Sequence, residues 1–378
     1  MNFDQTEEQQ LLGDSLRKFL ARDYDFERRK KIVASATGWS EPVWATFAEM
    51  GLTSLPFATD LGGFGGGAVD MMGVMEAIGE AMVVEPYLPT VGLAGRLVER
   101  TGSEAQKKAM IPDVIAGRTR LAFAHIEREA RYNAAQVATK AKKAGTGWTL
   151  HGEKCVALGA AAASHLVVSA RTAGKPANAA GISLFLVERE APGVVLKEYR
   201  TLDEQRAADV LLDGVKVGAG ALLGDEGHGY DAIEEALDFA TALLCSEAVG
   251  AMKSANDATL EYLKTRKQFG VPIGTFQALQ HRMVDMFVAL EQSRSMACLA
   301  ASKADGATSQ SDRMRSISAA KIRIADACRL VSQEAVQLHG GMGMTEELKV
   351  SHTFRRLTMI AQQFGDADHH LERFAALG

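Results

Sequence analysis

Two short stretches carry the residues best suited to chemistry. They are Arg266-Lys-Gln-Phe269-Gly270, with Gln277 soon after, and Gln337-Leu-His-Gly340-Gly341-Met-Gly343. Glycines just past a helical run let backbone amides approach a phosphate or a flat ring that any Cβ would hold off. Taken alone, the second stretch reads equally well as a helix C-cap and turn. Candidate proton acceptors are few. Glu247 sits in an apolar run, Leu-Cys-Ser-Glu-Ala-Val-Gly, where burial would raise its pKa, although a buried structural role is the stronger reading. Asp366 and Asp368 read as caps of a final helix, and His339 is assigned no catalytic role.

Other motifs exclude function classes. The loop Gly62-Gly-Phe-Gly-Gly-Gly67 lacks the following Gly-Lys-Ser/Thr of a P-loop. Cys155, Cys245, Cys298 and Cys328 lie far apart without metal-ligand spacing, and the last three read as buried thiols in helical patterns. A net charge of -5 with both signs dispersed gives no nucleic-acid footprint. No apolar run is long enough for a membrane span, and the acidic start MNFDQTEEQQLL is not a secretory signal. A cytoplasmic protein is expected.

The elements that must position these residues follow from periodicity. Residues 3–24 form a helix opened by a Thr6/Gln9 capping box. Further helices are expected around Glu41–Met50, over Val69–Met82, and on to about Ala116. From Leu121 to about Leu223, short alternating runs (Thr149–His151, His165–Ser169, Ile182–Val187, Val210–Val217) predict a strand-rich barrel or sandwich. Residues 172–181 within it read as a flexible, solvated loop. Long helices over Ile233–Thr265, Phe276–Ala304 and Ser316–His339 then follow, with a polar exposed connection at Asp305–Arg313 and a last helix over Asp366–Ala376. The expected class is α+β multidomain: an N-terminal helical domain (1–120), a middle β-barrel or sandwich (121–224) and a C-terminal four-helix bundle (225–378).

In this order and near the C-terminus, the two opening stretches resemble the acyl-CoA dehydrogenase family, and the three-domain layout extends the resemblance over nearly the whole chain. The resemblance implies FAD shared at a subunit interface, with the middle domain of one subunit gripping the flavin ring. The bundle of a neighbour would hold the adenine and diphosphate. On that pattern Arg266 faces the diphosphate, Phe269 packs on the adenine, and Gln277 and Gln337 hydrogen-bond to the adenine or the ribityl-diphosphate chain. Gly340 and Gly341 allow close backbone approach. A helix following a Gly-Gly loop, here Val69–Met82 with Met71, Met72 and Met75, would line the acyl pocket, although ordinary core methionines are the stronger reading.

Two departures stand against this pattern. Where the family carries its base in Tyr-Glu-Gly-Thr, this chain reads Gln363-Phe364-Gly365-Asp366, and phenylalanine accepts no proton. The family's alternative base position is Ala240. The ring-gripping residues are also lost: Thr-Glu-Pro-Gly-Ala-Gly-Ser-Asp is replaced by Ile126-Glu-Arg-Glu-Ala-Arg-Tyr-Asn133, and Trp-Ile-Thr by Val156-Ala-Leu158. The chain thus looks like the small, base-lacking subunit of heteromeric members of the steroid side-chain or pimeloyl-CoA type, lipid or steroid catabolic enzymes built as heterotetramers. The implied partners are a base-bearing subunit, an acyl-CoA substrate and electron-transferring flavoprotein as acceptor. Two alternatives stay open: a self-sufficient homo-oligomeric flavoenzyme with a relocated base such as Glu247 or Asp366, and a flavin-free scaffold of the same fold.

Overall fold

The computed structural model describes residues 6–377. It shows an N-terminal helical domain, a middle β-sheet and a C-terminal helical bundle. By contacts the chain gathers into two compact units, one holding 31–66 and 84–240, the other holding the N-terminal stretch to residue 30, 67–83 and 241 onward.

The first unit contains α3 (Glu41–Glu49), a π-helical stretch (Leu88–Gly95), α5 (Arg96–Thr101), α6 (Glu104–Ile115) and the sheet. The sheet's strands are β1 (Leu121–Ala124), β2 (Lys140–Ala144), β3 (Gly147–Leu158), β4 (His165–Arg171), β5 (Ile182–Glu188), β6 (Val194–Arg200), β7 (Arg206–Val217) and β8 (Leu222–Leu223). They form one mixed, hydrogen-bonded sheet in the order β6-β7-β3-β2-β4-β5-β8, with β1 paired in parallel to β4. Alternation sets its core face, where Ala141, Trp148, Leu150, Val168, Phe185 and Val210 pack together. The loop 172–181 is solvated as expected, with 173–180 exposed, and it is also anchored at its base. The buried Arg171 guanidinium donates to the carbonyls of Ala135, Val137, Pro176 and Ala180 at 2.8–3.1 Å. The sequence pattern of small residues gave no sign of that anchor.

The second unit contains α1 (Glu7–Asp23), α2 (Phe26–Ala34, which runs past the unit's edge), α4 (Ala68–Ala81), most of α7 (Tyr230–Thr265), α8 (Gln277–Gly306), α9 (Gln310–His339), α10 (Lys349–Gln362) and α11 (Ala367–Ala376). The Thr6/Gln9 capping box is present at α1, and residues 3–5 of that expected helix lie outside the described residues. α4 and α7 meet backbone to backbone. A Cβ at Gly250 would lie 1.9 Å from the Glu76 carbonyl oxygen, and one at Gly79 would lie 2.0 Å from that of Glu247. Met71, Met72 and Met75 of α4 are buried.

The expected exposed connection at 305–313 shrinks to three residues between α8 and α9. Asp305 is exposed but also committed: its carboxylate accepts from the Ala68 and Val69 amides at 2.7 and 2.9 Å and caps α4. α10 escaped the sequence reading because no side chain caps its start, despite its amphipathic face. Cys245 and Cys328 are buried, and burial pushes each thiol up to about 12. Cys298 is only half-buried.

Candidate functional site

The two opening motifs follow or end two helices of the bundle, α7 and α9, that touch through Tyr262 and His339. α7 ends at Thr265, and after Arg266 a two-stranded hairpin follows, β9 (Lys267–Gln268) paired to β10 (Val271–Pro272). Its two-residue loop, Phe269-Gly270, has φ of 53° and 81°, the double positive φ of a type I′ turn. Glycine takes that conformation freely; an aromatic residue there is strained by about 1–2 kcal/mol. The turn projects Phe269 into solvent, 92% exposed, with only a T-shaped contact to Phe276 at 6.2 Å.

At the end of α9, His339 donates from Nδ1 to the Ala335 carbonyl at 2.8 Å and stacks on Tyr262 of α7 at 4.5 Å. That stacking joins the helix ends that lead into the two motifs. Burial lowers the His339 pKa, consistent with a structural role. Gly340 has φ +60°, and a Cβ on it or on Gly341 would meet no protein atom within 4 Å, so their outer side is open. Arg266, Gln277 and Gln337 are exposed, and their side chains spend no hydrogen bond or ion pair on the described residues. A flat, anionic group could therefore meet a guanidinium, two amides, an aromatic face and open glycine backbone here.

At the position expected for the base the chain carries phenylalanine in a left-handed backbone conformation. Phe364 has φ +61°. The buried Lys321 ammonium donates to the carbonyls of Ile360, Ala361 and Gly365 at 2.8, 3.1 and 2.8 Å, and burial lowers its pKa to about 8. His370 Nε2 lies 3.1 Å from the Phe364 carbonyl and must donate to it, which leaves Nδ1 to accept from Ser318 Oγ at 3.2 Å. Burial drives His370 down to about 2, so the ring is neutral. Three side chains thus hold a strained elbow that carries no base.

The other carboxylates are engaged. Glu247 Oε1 lies 2.6 Å from Arg356 Nε, and both side chains are buried. Asp366 is the N-cap of α11, accepting from the His369 amide at 2.9 Å, and Asp368 lies in that helix's first turn. Ala240, the alternative base position, is fully buried. An open groove of about 540 Å³ between α9, α10 and α11 is lined by Asp326, Asp366 and Asp368 with Arg329, a set that disfavours an anion.

In the sheet-bearing unit, the compared stretches show rebuilding rather than vacancy. Val156 sits at a β-bulge with φ +52°, a genuine outlier for a β-branched residue. Its amide donates to Tyr199 Oη at 3.1 Å and Asp209 Oδ1 at 3.3 Å, and Arg128 donates to Asp209 Oδ2 at 3.2 Å. Burial and the Asp209 carboxylate push Tyr199 up to about 12.

The sequence reading missed a buried network beneath this bulge. Lys154 Nζ donates to Glu127 Oε1 at 2.7 Å, to Ser169 Oγ at 3.0 Å and to the His125 carbonyl. The amides of Ala138 and Thr139 also donate to Glu127. Burial alone would raise the Glu127 pKa; Lys154 and these amides hold it below the usual range. Since Ser169 accepts from Lys154, it gives its proton to His125 Nδ1 at 2.9 Å, and burial lowers His125 to about 3. Part of the signal was available: Glu127 is the charged residue retained in the otherwise altered stretch Ile126–Asn133.

Comparison with known proteins matches three acyl-CoA dehydrogenase domain families in chain order: the N-terminal domain over residues 6–118, the middle domain over 122–215 and the C-terminal domain over 227–376. Among curated relatives, the probable acyl-CoA dehydrogenase YngJ of Bacillus subtilis (strain 168) is 28% identical, covering 99% of this chain and 98% of that protein. The probable acyl-CoA dehydrogenase FadE25 of Mycobacterium tuberculosis (strain ATCC 25618 / H37Rv) is 30% identical over 81% of this chain and 79% of its own. Among solved structures, a variant of the Tcur3481-Tcur3483 steroid ACAD superposes with TM-score 0.88 at 28% identity, covering 98% and 97% of the two chains. A glutaryl-coenzyme A dehydrogenase with glutaryl-CoA superposes at 0.91 and 25%, covering 99% and 96%.

Proposed function

Since the chain belongs to the acyl-CoA dehydrogenase family, an oxidoreductase family, we propose that it is the non-catalytic partner in a heteromeric, FAD-dependent enzyme. One observation carries the reading. The exposed surface of Arg266, Phe269, Gln277, Gln337, Gly340 and Gly341 is complete and unspent, while the base position holds Phe364. The surface fits the adenine and diphosphate end of FAD bound mainly by a second, base-bearing chain. FAD, when bound, supplies the hydride acceptor for α,β-dehydrogenation of an acyl-CoA thioester. This chain's part is to hold and orient: Arg266 neutralises the diphosphate, Phe269 covers the adenine, and Gln277 and Gln337 supply directional hydrogen bonds.

Support comes from the steroid enzyme above, whose name pairs two components, and from the Arg128–Asp209–Tyr199 cluster at the bulge, which takes the amide of Val156 for itself. A relocated base is disfavoured by the engagement of Glu247 with Arg356 and of Asp366 with the α11 amide. We assign the complex a heterotetrameric arrangement, one FAD per unlike pair, with electron-transferring flavoprotein as acceptor. The test is Arg266→Ala in the copurified pair. Flavin content should fall at least tenfold with assembly intact, whereas unchanged flavin would remove the bundle surface from the cofactor site.

A further inference from the structure

The proposed cofactor surface is divided between two segments, and little of the chain holds one against the other directly. Residues 264–271 are exposed throughout, and the hairpin's tip has one ring contact, to Phe276. Among the described residues no hydrogen bond or ion pair joins 266–276 to 337–344. The segments are held through the helix ends that carry them.

On the α7 side the tie is a ring pair. Tyr262 lies one turn before Arg266, and its carbonyl accepts the Arg266 amide at 2.8 Å, so the direction of that last turn follows Tyr262. His339 is the last residue of α9, is 5% exposed and directly precedes Gly340. The two rings stack at 4.5 Å with 29° between their planes. His339 Nδ1 donates to the Ala335 carbonyl at 2.8 Å, which fixes the tilt of the imidazole on its own helix. The glycine turn folds back over the same residue: a Cβ on Gly343 would lie 2.6 Å from the Val336 carbonyl oxygen and 3.0 Å from His339 Cβ. On the α8 side Arg282 meets Glu334 in two contacts of 2.6 and 3.0 Å, with both side chains partly exposed. Salt screens such a pair. It does not screen the ring pair.

We propose that Tyr262 and His339 are positioning residues for the adenine end of FAD, setting Arg266 and Phe269 at the right separation from Gly340 and Gly341. This rests on the functional reading above. A flat group contacted from both segments is held fully only where they converge on it, and a displacement of about 1 Å already breaks directional contacts. A buried, neutral histidine, its pKa lowered by burial, suits that part. It offers a flat face and a fixed hydrogen bond without burying a charge.

The test uses the copurified pair, stripped of flavin and titrated with FAD and with FMN, which lacks the adenylate half. Bound flavin is read by fluorescence quenching, so neither acyl substrate nor turnover is needed. Tyr262→Ala and His339→Ala should each raise the FAD Kd about tenfold, the upper end of what an aromatic pair supplies, and leave the FMN Kd unchanged. The double variant should lie within about twofold of either single, because both substitutions break one element. Tyr262→Phe keeps the ring face and should bind FAD like wild type. Tyr262→Leu and His339→Leu fill the space without a stacking face, and they carry the same prediction should an alanine variant fail to assemble.

Unchanged FAD affinity in both alanine variants would overturn the inference. So would equal losses for FAD and FMN, the mark of a damaged assembly rather than a misplaced surface. Arg266→Ala in the same titration separates the two levels. If it weakens FAD while the ring variants do not, the positioning role fails and the functional reading stands. If it too leaves FAD unchanged, the reading itself fails, and this inference with it.

Discussion

Substituting Glu247 by Gln separates a structural from a catalytic carboxylate. Its Oε1 lies 2.6 Å from Arg356 Nε with both side chains buried. Removing one charge strands the other in a low-dielectric site, a loss of about 3–5 kcal/mol. Replacing both partners with apolar residues of similar volume removes the desolvation cost of each and is near neutral or stabilising. For 378 residues, an unfolding entropy of about 2.1 cal/mol/K per residue makes about 4 kcal/mol worth about 5 °C in Tm. Calorimetry on Glu247→Gln, Arg356→Met and Glu247→Leu/Arg356→Met should show two large losses and a recovered double variant. Losses under about 1 kcal/mol with additive behaviour would refute the ion pair and reopen Glu247 as a base.

Other outcomes follow from the same contacts. Gly250→Ala sets a methyl 1.9 Å from the Glu76 carbonyl oxygen and should cost about 3 kcal/mol in urea unfolding. Phe269→Gly relieves a left-handed aromatic and should gain about 1 kcal/mol in the isolated chain, while the copurified pair loses flavin. His125 and His370 are held near 3 and 2 by burial, against an ordinary value of 6.5. Below pH 6.5 the unfolded chain binds more protons, so stability falls as pH drops from 6.5 towards 3. At pH 5 the loss is about 2 kcal/mol per histidine. Urea titrations at pH 7 and 5 on His125→Asn should show roughly half of that decline removed.

The coarse architecture was legible because it rests on periodicity: the capping box at Thr6, the alternating strands and the long alanine-rich helices all state their geometry locally. The two motifs proposed as the cofactor surface could be picked out for the same reason, since Arg266–Phe269 and Gln337–Gly341 are each contiguous in sequence. What stayed hidden depends on distant partners. Asp305 capping α4, Arg171 pinning 172–181, and Lys321 with His370 beneath Phe364 each join residues far apart in the chain. Backbone strain was hidden too. Val156, Phe269 and Phe364 all take positive φ, which no local sequence pattern announces for a β-branched or aromatic residue. Such conformations persist only where neighbours over-determine them.

The most direct measurement is the flavin-to-protein ratio, from a visible spectrum and protein quantification, of this chain alone and copurified with a base-bearing acyl-CoA dehydrogenase subunit. A colourless isolated chain and about one FAD per unlike pair is the predicted result. One FAD bound to each isolated chain would contradict it, and would place the missing base somewhere within this chain.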